Sequence, residues 1–342
     1  MKKNQLSYRV TILFVTLFAL TMTMTLGNNF AAGAEAETRT VVVDGSTTVF
    51  PIASAASDFY MDTHPDDTIT VTGTGSGTGI ASLIAGTADI AMASRAMKDT
   101  EKTDLPGWNE ITVAGDGIAI IVHPSNNLTQ ITLAQIMGIY NGTYSNWREL
   151  GGTDMDMVVI NRESTSGTRG FFHDFIMNET DFREDAYIVE KNSNGAIATE
   201  VGNTPAAVGY VGLGYLSESI KPLLVENAAK VYVEPTVQNV LDGVYPIARD
   251  LYFYTDGVPV DLAKDFIDYL LSPTGQAIIE DEGFVPVGEV GEMPISEGPT
   301  SAIPGFELWV LLPVTFGSSG LIVFFYFFKK TCGKPHDYDY DD

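Results

Sequence analysis

Three short segments of the chain are rich in hydroxyls and glycines. VVVDGSTTVFP carries Ser46, Thr47 and Thr48, and VTGTGSGTGI carries Ser76 and Thr78 among four glycines. NRESTSGTRGFF carries Ser164, Thr165, Ser166, Gly167 and Thr168. Each lies between an apolar run and residues at helical spacing, so each is read as a strand-to-helix junction. At a helix N-terminus the aligned peptide dipoles leave about half a positive charge, and free N–H groups and hydroxyls there bind anions. Arg162, at the end of the strand entering the third segment, adds a guanidinium able to grip two oxygens of a tetrahedral anion. Ser and Thr are also ordinary helix caps, so one such junction alone would carry little meaning. Three in one chain, at the carboxyl ends of parallel strands, point to a common anion site.

Other chemistries fail on the same residues. The second segment spells GxGxGxG, which is neither the dinucleotide fingerprint nor a phosphate loop with its lysine. Ser76 has Thr74 and Thr78 where a nucleophile elbow needs glycines. No His or Lys lies in the three segments, so a phosphatase using Ser46 or Ser76 would lack a base. His64, His123, His173 and His336 form no metal-ligand cluster, and no metal or cofactor is expected.

The elements that must hold these loops can be read from apolar periodicity. Val41–Val43, Ile69–Val71, Ile90–Ala93, Ile118–Val122, Met157–Ile160 and Leu251–Tyr254 read as buried strands. Helical spacing marks Ile52, Ala55, Ala56 and Phe59; Ile80, Leu83 and Ile84; Phe172, Phe175 and Ile176; and Leu262, Phe266 and Leu270. Strand–helix alternation with short connections predicts α/β layers around largely parallel sheets. The 342 residues, 45% of them hydrophobic, suffice for two lobes of about 100–150 residues each.

Both ends carry other signals. Lys2, Lys3 and Arg9 precede the uncharged run Val10–Leu26 and a small-residue cleavage site at Ala32-Gly33-Ala34, the layout of a secretory signal over residues 1–34. Leu308–Phe328 holds no charge and, as a helix, reaches about 31 Å, enough to span a bilayer. Lys329, Lys330 and Lys334 follow it and place that end in the cytoplasm, so the bulk of the chain is expected outside. Residues 289–305, with Pro294, Pro299 and Pro304, read as a stalk, 306–330 as the membrane helix and 331–342 as a cytoplasmic tail. The net charge of −25 argues against a nucleic-acid partner, which needs a basic footprint. The only cysteine, Cys332, falls in the tail, so the outer part has no disulfide to stabilise it. Asn127, Asn141 and Asn178 begin glycosylation triplets, a weak signal that fits an exported surface.

Taken in order, DGSTTVFPIA, GTGSGTGI, GTADIAMASRAMK, RESTSGTRGFF, VGYVGLGYL and DYLLSPTGQAIIEDEGFVPV resemble the phosphate-binding proteins of phosphate ABC importers, a branch of the type II periplasmic binding proteins. The resemblance covers roughly Val41–Val287 and implies a two-lobed α/β fold with two hinge crossovers. Lobe I would comprise 35–118 and 246–288, and lobe II 119–245, with hinge strands near Ile118–Val122 and Tyr245–Leu251. It further implies an extracytoplasmic receptor that closes on inorganic phosphate and delivers it to a membrane permease. The matching ligand residues are Ser46, Thr47, Thr48, Ser76, Arg162, Ser166, Gly167 and Thr168. One position departs from the pattern: well-known members place an aspartate where this chain reads Ser94-Arg95. That aspartate accepts the proton that phosphate has and sulfate lacks. Ser94 and Arg95 are therefore expected at the cleft, with Arg95 contributing charge and Glu163, Asp44 or a hydroxyl serving as the substitute acceptor. A receptor for sulfate, molybdate or tungstate, or a surface sensor or adhesin on the same fold, is the alternative reading.

Overall fold

The computed structural model describes residues 38–287 apart from residue 179. The expected signal, stalk, membrane helix and tail lie outside the described residues. Among the described residues no helix is long and apolar enough to cross a membrane.

The first half runs β1 (Arg39–Gly45), α1 (Phe50–Thr63), β2 (Asp67–Gly73), α2 (Ser76–Ile84), β3 (Ile90–Ala93), α3 (Asp99–Asp104) and the long β4 (Trp108–Val122). There follow β5 (Gln130–Ile131), α4 (Leu133–Tyr140), β6 (Val158–Arg162), α5 (Gly167–Phe175), β7 (Ile188–Lys191), α6 (Asn194–Asn203) and β8 (Ala207–Gly212). The chain then forms β9 (Lys221–Pro222), β10 (Leu224–Glu226), β11 (Tyr232–Val233) and α7 (Val237–Leu241). It returns through β12 (Ala248–Asp256), α8 (Asp261–Leu271), α9 (Pro273–Asp281) and β13 (Val285–Pro286).

The main sheet has the order β2-β1-β3-β12-β4-β8-β6-β7. Pairing is parallel within β2-β1-β3 and within β8-β6-β7, as the strand–helix alternation requires. It is antiparallel wherever β4 and β12 take part, so the sheet is mixed rather than largely parallel. The reason is topological: β4 carries the chain out of one half and β12 brings it back. Residues 108–117 of β4 pair with β12, and Ile118–Val122 pair with β8, so one strand belongs to both halves.

Two large cores flank this crossing. One gathers Val41, Val43, Ile52, Met92, Leu251, Phe253 and Phe266; the other gathers Ile118–Val122, Tyr140, Trp147, Phe172, Tyr210 and Ile247. Strand alternation feeds a third, smaller cluster on the opposite sheet face. Ile90 and Met92 point into the layer of α1 and α8, while Ala91 and Ala93 meet Ile80 and Leu83 of α2. The expected apolar face of α1 is shifted by one residue: Phe59 is 58% exposed, and Tyr60 is buried instead. Tyr60 wins because its ring meets Phe266 and Tyr269 edge-on while its hydroxyl reaches Asp67. Phe175 is likewise exposed, while Phe172 within α5 and Ile176 just after it are buried. At the end of β1, Gly45 has φ +137°, and an added Cβ would lie 2.3 Å from the Met92 carbonyl oxygen. Only glycine lets the first hydroxyl loop leave β1 this close to β3.

Phe266 is fully buried between α8 and the sheet. Phe266→Ala is expected to lower unfolding free energy by about 3–5 kcal/mol, read from the urea midpoint at unchanged slope.

Candidate functional site

The three hydroxyl junctions converge. Thr48 Oγ1, ahead of α1, lies 3.1 Å from Thr168 Oγ1 in the first turn of α5. Ser76 Oγ, opening α2, lies 3.3 Å from Ser94 Oγ and accepts from the Ser94 N–H at 3.1 Å. The Gly77 N–H donates to the Thr165 carbonyl at 2.9 Å, tying the second junction to the third. Gly167 shows how closely they meet: a Cβ there would stand 2.1 Å from Ser76 Oγ and 2.7 Å from Ser94 Oγ. Ser46, Thr47, Thr48, Ser76, Ser94, Ser166 and Thr168 are all buried. Neither α1 nor α2 has a side-chain cap; at α2 the Gly77 N–H is met by the Thr165 carbonyl instead. The Ser166 hydroxyl caps its own helix, accepting from the Arg169 N–H at 3.2 Å.

Arg162 ends β6 with 1% exposure, and its Nη2 donates to Thr47 Oγ1 at 3.0 Å and the Asn192 carbonyl at 3.2 Å. Its Nε and Nη1 are buried and find no partner among the described residues. Burial pushes this guanidinium down to about 10, so it is charged at neutral pH, and it forms no salt bridge among the described residues.

Arg95 has a partner of its own. Its Nη1 and Nη2 grip Glu101 at 2.8 and 2.7 Å, and Nη1 also donates to the Ala96 carbonyl. Its charge is therefore shared with Glu101, while Cδ and Nε lie beside Gly170 of the third junction and Nη2 lies 3.8 Å from a Cβ added at Gly77 of the second. The proposed acceptors are also committed elsewhere. Asp44 accepts from Thr74 Oγ1 at 2.6 Å and Ser82 Oγ at 2.9 Å, bracing β1 against α2. Glu163 accepts from Thr165 Oγ1 at 3.0 Å in an exposed contact.

Three residues that the sequence reading passed over stand in the cluster. Arg249 of β12 donates to the Ser94 carbonyl at 2.9 Å and to Thr168 Oγ1 at 3.0 Å. It is paired with Asp116 of β4 at 2.8 Å, both side chains being essentially inaccessible. Burial pushes the Asp116 carboxyl up and the Arg249 guanidinium down, each partly offset by the other's charge. Asn194, fully buried at the start of α6, donates through Nδ2 to Thr48 Oγ1 at 2.9 Å and Thr47 Oγ1 at 3.4 Å. The available signals were slight: single charges inside the central runs around Asp116 and Arg249, and a Ser193-Asn194 cap before Ile197 and Val201. Around this cluster the chain presents hydroxyls, amides and guanidinium donors with two of Arg162's nitrogens uncommitted, an arrangement suited to holding a compact oxyanion.

A family model described as a PBP superfamily domain matches residues 31–274. The phosphate-binding protein PstS of Bacillus subtilis (strain 168) is 31% identical over 262 residues, covering 76% of this chain and 85% of that protein. The protein of the same name from Borreliella burgdorferi is 33% identical over 254 residues, covering 72% and 89%. Among solved structures, one from Clostridium perfringens is described as a phosphate ABC transporter substrate-binding protein with bound phosphate. It matches with TM-score 0.67 at 34% identity, covering 72% of this chain and 99% of that one.

Removing one partner of a buried ion pair strands the other charge. Asp116→Asn is therefore expected to cost about 3–5 kcal/mol of stability by urea unfolding. Loss of under about 1 kcal/mol would show that the pair is not what fixes Arg249.

Proposed function

The chain belongs to the PBP superfamily and, within it, to the PstS family of phosphate-binding proteins, and on that premise we propose that it captures inorganic phosphate and hands it to the permease of an ABC importer. The observation that carries this reading at the level of residues is Arg162. A guanidinium with two buried, unpartnered nitrogens, ringed by hydroxyls at helix N-termini, is matched in charge and geometry by a tetrahedral oxyanion.

In this reading Ser46, Thr47, Thr48, Ser76, Ser94, Ser166, Gly167, Thr168 and Arg162 bind the anion, and Arg95, paired with Glu101, stands beside the second and third junctions. The protein is a receptor, not an enzyme: Ser46 Oγ accepts from the Thr48 N–H and Ser76 Oγ meets Ser94, so neither hydroxyl has a base beside it. Lobe I is 35–118 with 246–288, and lobe II is 119–245. The lobes swing about the crossing where the Ile118 N–H bonds the Ile247 carbonyl at 2.8 Å and the Tyr245 hydroxyl bonds the Ile118 carbonyl at 2.8 Å. Residues 1–34 direct export, and 306–330 hold the receptor on the outer face of the membrane by a stalk, near its permease at high effective concentration.

Titration calorimetry with phosphate, sulfate and molybdate tests the assignment. Phosphate is expected to bind most tightly, and Arg162→Ala to weaken it by about 2–5 kcal/mol in a protein that still melts cooperatively. Tighter binding of sulfate or molybdate would replace the ligand, and wild-type affinity in Arg162→Ala would remove Arg162 from the site. The anchor has its own check. A chain ending at residue 305 is expected in the soluble fraction of lysed cells and the full chain in the membrane pellet; equal partition of both would exclude the anchor.

A further inference from the structure

A phosphate ion near neutral pH carries at least one proton, whereas sulfate carries none. A site that selects phosphate must therefore offer at least one acceptor, because a buried donor without one is costly. The hydroxyls of this site are poorly placed for that task. Each of six already accepts from a fixed N–H: Ser46 from Thr48, Thr47 from Arg162, Thr48 from Asn194, Ser76 from Ser94, Ser166 from Arg169, and Thr168 from Arg249. Each such oxygen has given one of its two lone pairs to a fixed donor, and its O–H proton is free to be donated onward. The carboxylates already have partners as well: Asp44 in Thr74 and Ser82, Glu101 in Arg95, Asp116 in Arg249 and the Leu213 N–H, and Glu163 in Thr165.

One buried side-chain oxygen among the described residues has no partner at all. Of the buried side-chain atoms without a partner among the described residues, four are nitrogen donors, and the single oxygen is Asn194 Oδ1. It belongs to a fully buried side chain whose Nδ2 is held on Thr48 and Thr47 Oγ1, and Thr47 Oγ1 is the same atom that Arg162 Nη2 grips. Asn194 and Arg162, one carrying an unmet acceptor and the other unmet donors, are thereby fixed on one hydroxyl. We propose that the Asn194 carboxamide oxygen accepts the proton of bound phosphate and so discriminates against sulfate. This inference rests on the phosphate reading given above. Sulfate in the same place would set an oxygen lone pair against the amide oxygen and leave that oxygen buried and unsatisfied. A neutral acceptor also answers the departure at Ser94-Arg95, since it reads the proton without bringing a second negative charge to the anion.

The test is calorimetry of the full chain with phosphate and with sulfate in the wild type, Asn194→Ala and Asn194→Asp, using the ratio of the two affinities as the readout. The ratio matters because losing the amide's brace on Thr48 weakens both anions alike. Asn194→Ala is expected to lower the phosphate-to-sulfate ratio about 5- to 100-fold, the range of one lost buried hydrogen bond. An unchanged ratio, with both anions weakened equally, would overturn the proposal and leave Asn194 a brace. Asn194→Asp keeps the shape and the acceptor, and is expected to hold or widen the preference for phosphate; a narrowed preference would overturn the proposal even if the alanine variant did not fold. A wild type that prefers sulfate would instead sink the phosphate reading itself, a result separable from either variant's.

Discussion

Arg249 and Asp116 are direct partners in the register of β12 and β4, the two strands through which the chain crosses between its cores. Taking two charges out of water costs several kcal/mol per ion, and the attraction between them offsets this only when further hydrogen bonds satisfy the remaining groups. Here they do. Arg249 reaches the Ser94 carbonyl and Thr168 Oγ1, while Asp116 also accepts from the Leu213 N–H. The pair thus joins the crossing strands to a loop from the first half, a helix start from the second, and the turn after β8. Replacing both charges by apolar groups would remove the bonds from Arg249 to the Ser94 carbonyl and to Thr168 Oγ1, and with them one of the ties between the loops.

That constraint explains how so acidic a chain can present an anion site. The net charge of −25 offers no long-range attraction for an anion. What remains is local: helix N-termini without side-chain caps, hydroxyls that accept from fixed N–H donors and have a proton left to donate, and the two uncommitted nitrogens of Arg162. Such groups act over a few ångströms in a buried setting, where the low dielectric strengthens them and bulk salt screens them little. The acidic exterior and the anion-seeking interior are therefore compatible, because they operate at different ranges.

The hydroxyl loops were legible because their signal is compositional and local. Gly, Ser and Thr cluster at strand-to-helix junctions, and the convergence of these junctions follows from parallel strands within each half. Arg162 was legible from its place at a strand end. Arg249 and Asp116 were not, because each is a single charge in an apolar run, and only the pairing of β4 with β12 shows that the two meet. For Arg95 the sequence gives a charge but not its partner, Glu101, six residues on. The same holds for packing: the one-residue shift from Phe59 to Tyr60 depends on Phe266 and Tyr269, which lie some two hundred positions away. The mixed sense of the sheet was hidden because crossing strands look like any other buried strand.

Selectivity in such a site depends on how its donors and acceptors are counted, more than on any one strong contact. Arginine, hydroxyl and helix-terminus donors recognise every tetrahedral oxyanion about equally, since all present the same ring of oxygens. Adding donors raises affinity for phosphate and sulfate together and leaves their ratio unchanged. The ratio moves only when the site contains a group that one anion satisfies and the other offends. A carboxylate does this strongly, but it must be buried beside an anion, where its own ionisation is resisted. A carboxamide oxygen does it with no charge to bury, provided its amide end is tied down so that it cannot rotate into a donor. Thr47 and Thr48 supply that tether, and they are themselves held by Arg162 and by the contact with Thr168 across the two halves. Affinity and discrimination thus share one hydrogen-bonded frame, and that frame is complete only where the two halves meet.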